Sequence, residues 1–157
     1  MTLLKRCFSA IAIIVIVFSS NTIASDAEKA ITARQAHMQT YAFNLGVLGN
    51  MAKGKTPYHA DKAKTAAQNL LMLSSMNNAS MWPQGSSQSD EGLGDKTRAL
   101  AEIWTNFPKV MERHQVLTTE LQHFVTIAGK DLASLKGGLG KVGAGCKGCH
   151  QDFRAAK

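Results

Sequence analysis

Apolar residues recur in steps of three and four along almost all of this chain, and nowhere in strict alternation. That spacing gathers them on one face of a helix rather than of a strand, so the chain has to be read inside an all-α frame. The clearest stripe is Val110/Met111, His114, Leu117, Leu121, Phe124/Val125 and Ala128. A second runs Ile31, Arg34, Met38, Tyr41, Leu45, Leu48 and Ala52, and a third Ala63, Ala66/Ala67, Leu70, Leu73 and Met76/Asn77. A fourth, between Lys130 and Ala156, carries Leu132, Leu135, Leu139, Val142, Cys146, Cys149/His150 and Phe153. With 157 residues, 45% of them hydrophobic, one core is within reach and wholesale disorder is not expected. Four helices of useful length predict an antiparallel four-helix bundle.

Punctuation supports those limits. Gly54 suits the cap that ends the first helix, and Pro57 cannot continue it. Asp61 complements the dipole at the start of the second helix, predicted over 60–77. From Asn78 to Asp95 the periodicity stops and Pro83, Gly85, Ser86, Ser87, Ser89, Gly92 and Gly94 crowd together, which predicts a long loop. A loop of that length in a small domain has a task or is mobile. Pro108 is tolerated only in a first turn, so the third helix is expected to start at Asn106, with residues 97–104 a turn or short helix before it. Gly137, Gly138, Gly140, Gly143, Gly145 and Gly148 each cost ~1 kcal/mol against Ala in a helix, so the fourth helix needs support from elsewhere.

The first residues read as an address. Lys5 and Arg6 precede an apolar run from Phe8 to Phe18, and Thr22-Ile23-Ala24 is a small-x-small cleavage site. The run is well short of the ~20 residues that span a bilayer, so residues 1–24 are expected to be a cleaved signal peptide and residues 25–157 the mature domain, delivered to the periplasm with no stable membrane span. Cleavage would remove Cys7 and leave Cys146 and Cys149 as the only cysteines. The formal charge is +7, and a basic balance modestly favours acidic partner surfaces through steering. Aromatics at 6% and scattered lysines argue against a nucleic-acid binder.

Cys146-Lys147-Gly148-Cys149-His150 is the attachment pattern of a c-type haem. On a helix, positions three and four apart share a face, so both thiols and the imidazole point the same way. Two thiols can add to two haem vinyl groups, and the imidazole is then placed under the iron. Gly148 is expected to let the macrocycle lie close to the backbone. A disulfide oxidoreductase site would want a βαβ context, and a zinc site a second ligand pair; the remaining histidines, His37, His59, His114 and His123, are scattered. Export, no surplus cysteine and an apolar bundle all agree with one covalent haem c. No paired carboxylates or nucleophile–base set stand out, so no enzyme activity is expected.

In this order the residues resemble the class II c-type cytochromes, the cytochrome c′ and cytochrome c-556 group. The matching pieces are Arg34-Gln35-Ala36-His37-Met38, Lys53 to Tyr58, Trp82 to Ser86, Glu102-Ile103-Trp104, and Val142-Gly143 through Cys146 and His150 to Phe153-Arg154. His59 and Ala101 depart from the family pattern, weakening a helix cap and loosening a loop. The resemblance implies thioethers at Cys146 and Cys149 and an iron bond from His150. It implies that Arg34 and Gln35 hold haem propionates and that Arg154 tunes the proximal pocket. It places Met38 over the distal face of the iron, either bonded to it, as in a six-coordinate electron carrier, or only packed there, leaving a five-coordinate iron open to nitric oxide. Pairing through the first two helices and exchange with periplasmic redox proteins are further expectations. His114 reads as a satisfied core or edge histidine, His37, His59 and His123 as surface residues, and Met51, Met72, Met76, Met81 and Met111 as core filler. Trp82 and Trp104 flank the long loop and are expected to pin it.

Overall fold

A computed structural model describes residues 20–156. Its elements are α1 (Ser20–Ala52), α2 (Ala60–Ser75), a single 3₁₀ turn (Ala79–Met81), α3 (Glu102–Thr105), α4 (Phe107–Ile127) and α5 (Leu132–Phe153). The predicted leader lies outside the described residues except for Ser20 to Ala24, which open α1. No described helix is long and apolar enough to cross a membrane.

The four long helices pack in a closed ring, α1 on α2, α2 on α4, α4 on α5 and α5 on α1. Neighbours run in opposite directions. Tyr58, just ahead of α2, donates its hydroxyl to the Ala128 carbonyl just past α4 at 3.1 Å. At the other end of α2, the Ser74 hydroxyl meets that of Thr118, in the middle of α4, at 2.6 Å, and the Ser74 carbonyl meets His114, nearer the start of α4, at 2.9 Å. The expected antiparallel four-helix bundle is therefore the fold. Its core is the meeting of the stripes: Leu48, Leu70, Leu121, Phe124, Leu135 and Val142 are sealed from solvent. Each such side chain contributes roughly 1.5–3 kcal/mol.

The stops fall where the sequence puts them. Gly54 closes α1 with φ +70, and Lys55 N–H returns to the Asn50 carbonyl at 2.8 Å. His59 caps α2 after all, its Nδ1 accepting a long bond from the Lys62 amide at 3.5 Å. Asn106 is the residue before α4, with Pro108 in the first turn, although its side chain makes no capping bond. Asp131 caps α5 by accepting from the Ser134 amide at 2.7 Å.

Three expectations need correcting. The first helix begins well before Ile31, because Ala27 and Ala30 extend its buried stripe and Ala27 and Ile31 pack on Leu93 from the loop. Met72, Met76 and Met111 are exposed rather than core filler, since Met76 and Met111 fall on the outer edge of their stripes and Met72 lies off its stripe; Met51 is buried as expected. His37 is buried at 6% exposure, with its ring edge-on to Tyr41 at 5.2 Å.

The glycines of α5 divide by what they face. A Cβ built on Gly138 would lie 2.4 Å from the Phe124 ring, and one on Gly145 would lie 3.3 Å from the Leu117 backbone; both glycines let α4 approach closely. Gly140 faces open space. Gly140→Ala should therefore stabilise the protein by about 0.5–1 kcal/mol through helix propensity, whereas Gly138→Ala should destabilise it by about 1–3 kcal/mol through overpacking. Urea titrations of the two variants read the opposite signs directly.

Candidate haem site

Cys146, Cys149 and His150 lie on the C-terminal half of α5, all half-buried, with both cysteines free. Cys146 packs at the edge of the main core. The same helix turns its opposite face to α4, where Arg113 Nε donates to Asp152 at 2.8 Å and Lys109 adds a second cation at 3.4 Å. Gly148 belongs to that far side: a Cβ there would meet Arg113 at 3.9 Å.

The chemistry of the three side chains suits a haem and not the alternatives. Burial pushes both thiols up, with Asp152 and Cys146 adding to the effect at Cys149. A redox-active Cys-x-x-Cys pair shows the reverse, a thiol lowered to favour thiolate. Burial, then Arg154 and Arg98, push the His150 imidazole down, which keeps it in the neutral form that binds a metal. Among the described residues no three His, Cys, Asp or Glu side chains come together as a metal site. Beside these residues opens a cleft of about 970 Å³ lined by Cys146, Lys147, His150, Arg98 and Arg154, among others. That is at the upper end of the ~300–1,000 Å³ typical of cofactor sites. The residues present fit the group.

Across the bundle, α1 faces this site with Tyr41, whose phenol is pushed up to about 12, first by burial and against a hydrogen bond with Ser74. Cys146 also acts on Tyr41, which sets the two at one level of the bundle. Ser74 meets Thr118, and its carbonyl receives the His114 Nε2 at 2.9 Å, so His114 is the satisfied edge histidine expected. Met38, one turn before Tyr41, is 41% exposed on the rim of the α1 face. His37 Nε2 is buried without a hydrogen-bond partner among the described residues.

Arg34 and Gln35 both bond to the long loop. Arg34 is 3% exposed and its guanidinium is lowered by burial. Its two terminal nitrogens donate to the Ser86 hydroxyl at 2.8 Å, the Thr97 hydroxyl at 2.9 Å, the Ser86 carbonyl and, at 3.4 Å, the Met81 carbonyl. The group also lies over Trp82 at 4.8 Å. Trp104 donates its indole N–H to the Trp82 carbonyl at 3.0 Å, so both tryptophans do pin the loop, with Arg34 at the centre. Gln35 donates to the Lys96 carbonyl at 2.6 Å. No carboxylate takes part: neutral acceptors and aromatic faces stabilise the buried cation, and the loop residues Ser86, Ser87 and Thr97 are buried in consequence. Sequence periodicity could not show this, because the partners lie in the one aperiodic stretch.

Beyond the loop, the chain pairs with its own end. Leu100 N–H donates to the Phe153 carbonyl at 3.1 Å and Ala155 N–H to the Arg98 carbonyl at 2.9 Å, an antiparallel bridge between Ala99 and Arg154. This tie fixes the last turn of α5, and with it His150, against the segment entering α3.

The family model for cytochrome c′ matches residues 29–154, from α1 through the bridge. The chain belongs to the cytochrome c′ family. Cytochrome c-554 of Cereibacter sphaeroides is 36% identical over 127 residues, covering 81% of this chain and 93% of that protein. The structure of cytochrome c′ from Rhodobacter Spheriodes superposes with a TM-score of 0.78 at 32% identity, over 84% of this chain and 99% of the other. A variant of cytochrome c prime from Alcaligenes xylosoxidans, solved as its nitric oxide complex, superposes with a TM-score of 0.71 at 27% identity, over 84% of this chain and 98% of the other. As a cytochrome c′-type protein, this chain carries a covalently attached haem c, and Cys146 and Cys149 near its C-terminus are the cysteines that fit it.

In this cytochrome the Arg34 clamp is a structural element in its own right. Arg34→Met should cost about 3 kcal/mol by leaving buried hydroxyl and carbonyl acceptors unpaired. It should also shift the Trp82 and Trp104 fluorescence to the red and open residues 84–95 to proteolysis, all before the bundle melts.

Proposed function

We propose that the mature protein works in the periplasm as a monohaem cytochrome whose iron has one protein ligand, His150, and an open distal position for nitric oxide, while cycling one electron. Attached through Cys146 and Cys149, the haem supplies an iron that changes between ferric and ferrous states and a coordination position for a diatomic ligand. The chain orients that group and tunes it. α5 presents the thiols and imidazole on one face, the Ala99–Arg154 bridge anchors the turn that follows, and burial, aided by Arg154 and Arg98, favours the neutral imidazole.

The observation that carries the five-coordinate reading is the contrast between His150 and Met38. His150 stands on a helix held by packing and by the bridge. Met38 lies on the apolar stripe of α1, where a methionine more often packs than ligates. The nitric oxide complex of the Alcaligenes xylosoxidans variant supports this reading by showing what a relative of this fold takes up. The competing state is a six-coordinate His150/Met38 electron carrier of the cytochrome c-556 kind. Arg154, exposed beside His150, acts in either state as a charge on the proximal side. Arg34 and Gln35 are held in place by the loop and remain the residues proposed to reach the haem propionates. Phe43 and Met72, 71% and 69% exposed, are the apolar surface through which α1 and α2 would form a homodimer.

The ferric protein should have a high-spin spectrum that Met38→Ala leaves unchanged, and the ferrous protein should bind nitric oxide stoichiometrically. A low-spin ferric spectrum with a thioether charge-transfer band, lost in Met38→Ala, would establish the six-coordinate carrier instead.

A further inference from the structure

Charge is unevenly spread along this bundle. The α1–α2 turn and the α4–α5 turn lie together at one end: the Tyr58 hydroxyl donates to the Ala128 carbonyl, and Gly129 faces Ala60 and the Lys64 side chain. Lys53, Lys55, Lys62, Lys64, Lys130 and Lys136 stand exposed on these turns and on the helix starts that follow them. Only Asp61 and Asp131 oppose them there, and Asp131 is engaged in capping α5 through the Ser134 amide. None of the six lysines enters an ion pair among the described residues. Over the rest of the described residues, cations and carboxylates balance at nine each, and every ion pair among the described residues lies in that part. The positive surplus of the described bundle is therefore gathered at the end away from Cys146, Cys149 and His150.

We infer that this lysine-rich end of the bundle is a docking surface for an anionic lipid bilayer. A cluster of this size and sign is what a layer of lipid phosphates attracts. A protein partner would want apolar or aromatic anchors at the centre of the contact, and none of the large apolar side chains that the protein exposes belongs to this end. A nucleic acid would want stacking rings, whereas the one aromatic ring on these turns, Tyr58, is half-buried and bonded to Ala128. What the end offers is ammonium groups on flexible stems, spread over two turns, which suits a fluid sheet of charge rather than a shaped surface. Docking there sets the direction of the molecule. α5 rises from this end at Leu132, so Cys146 stands about 20 Å along it at 1.5 Å per residue, and the cleft beside His150 opens away from the lipid. The surface is independent of the coordination state of the iron.

Co-sedimentation of the holoprotein with lipid vesicles tests this. Vesicles of phosphatidylcholine and phosphatidylglycerol in equal parts should bind it at low ionic strength and release it at ~0.3 M salt, where the Debye length shortens to a few ångströms. Vesicles of phosphatidylcholine alone should not bind it. The double substitution Lys62→Gln with Lys64→Gln should lower the partition coefficient about fivefold for each lysine removed. Lys29→Gln with Lys109→Gln takes the same charge from the opposite end and should lower it by less than about twofold. All four positions are exposed and helical, and glutamine has nearly the helix propensity of lysine, so the far-ultraviolet circular dichroism of both variants should match the parent. A second readout uses the parent chain alone. Acetylation by sulfosuccinimidyl acetate, mapped by peptide mass spectrometry, should be suppressed by the anionic vesicles at Lys53, Lys55, Lys62, Lys64, Lys130 and Lys136 and unchanged at Lys29 and Lys109.

No binding to the anionic vesicles at low salt would overturn the docking surface. So would equal binding to neutral vesicles, or binding that salt does not reverse, since either means apolar insertion. Equal weakening by the two double variants would overturn it in favour of net charge alone. A footprint spread evenly over the lysines, or centred on Lys29 and Lys109, would overturn the placement at this end.

Discussion

A helix with glycine at six positions between 137 and 148 keeps its shape in this protein because another helix presses against it. By propensity alone α5 gives up several kcal/mol, at ~1 kcal/mol per glycine. What it gains is proximity. Gly138 receives the Phe124 ring and Gly145 the Leu117 backbone, so α4 and α5 approach closely and bury Phe124, Leu135 and Val142 between them and their neighbours. Everything the protein does depends on that contact, since Cys146, Cys149 and His150 share a face only while α5 remains a helix through Phe153.

Two further ties carry the constraint outward. The pairing of residues 98–100 with 153–155 fixes the end of α5 where His150 stands. The segment it pairs with is the exit of the long loop, and that loop is held to α1 by Arg34, Gln35 and the two tryptophans. One chain of contacts therefore runs from the buried guanidinium of α1 through the loop to the imidazole of α5. The loop is the part that a periodic reading leaves blank, and it positions the proximal side of the site. A single buried cation satisfied by hydroxyls, carbonyls and indole faces gives an aperiodic segment one conformation, because every alternative leaves the charge unpaired in a low-dielectric interior.

The legible parts of the sequence were those in which chemistry is tied to spacing. The Cys-x-x-Cys-His pattern fixes three side chains on one helical face without any knowledge of the fold. The apolar stripes locate four helices, and Gly54 and Asn106 mark real boundaries. Less legible was what stands opposite a given face. Arg34 was visible as a charge on an apolar stripe, but its acceptors Ser86 and Thr97 lie in a loop that carries no period. His37 falls beside the stripe rather than on it, and only its packing on Tyr41 makes it a core residue. Met76 and Met111 fit a helical period yet face outward, because periodicity does not say how wide the buried face is.

The central claim is that α5 exists to present a covalently bound haem, held by two thioethers and one imidazole. Intact mass spectrometry of the secreted protein, denatured in acid and organic solvent, tests it most directly. The account predicts the mature peptide mass plus one haem, reduced to the bare peptide mass when Cys146 and Cys149 are both replaced by Ser. A secreted, folded parent protein with the mass of its peptide alone would contradict it.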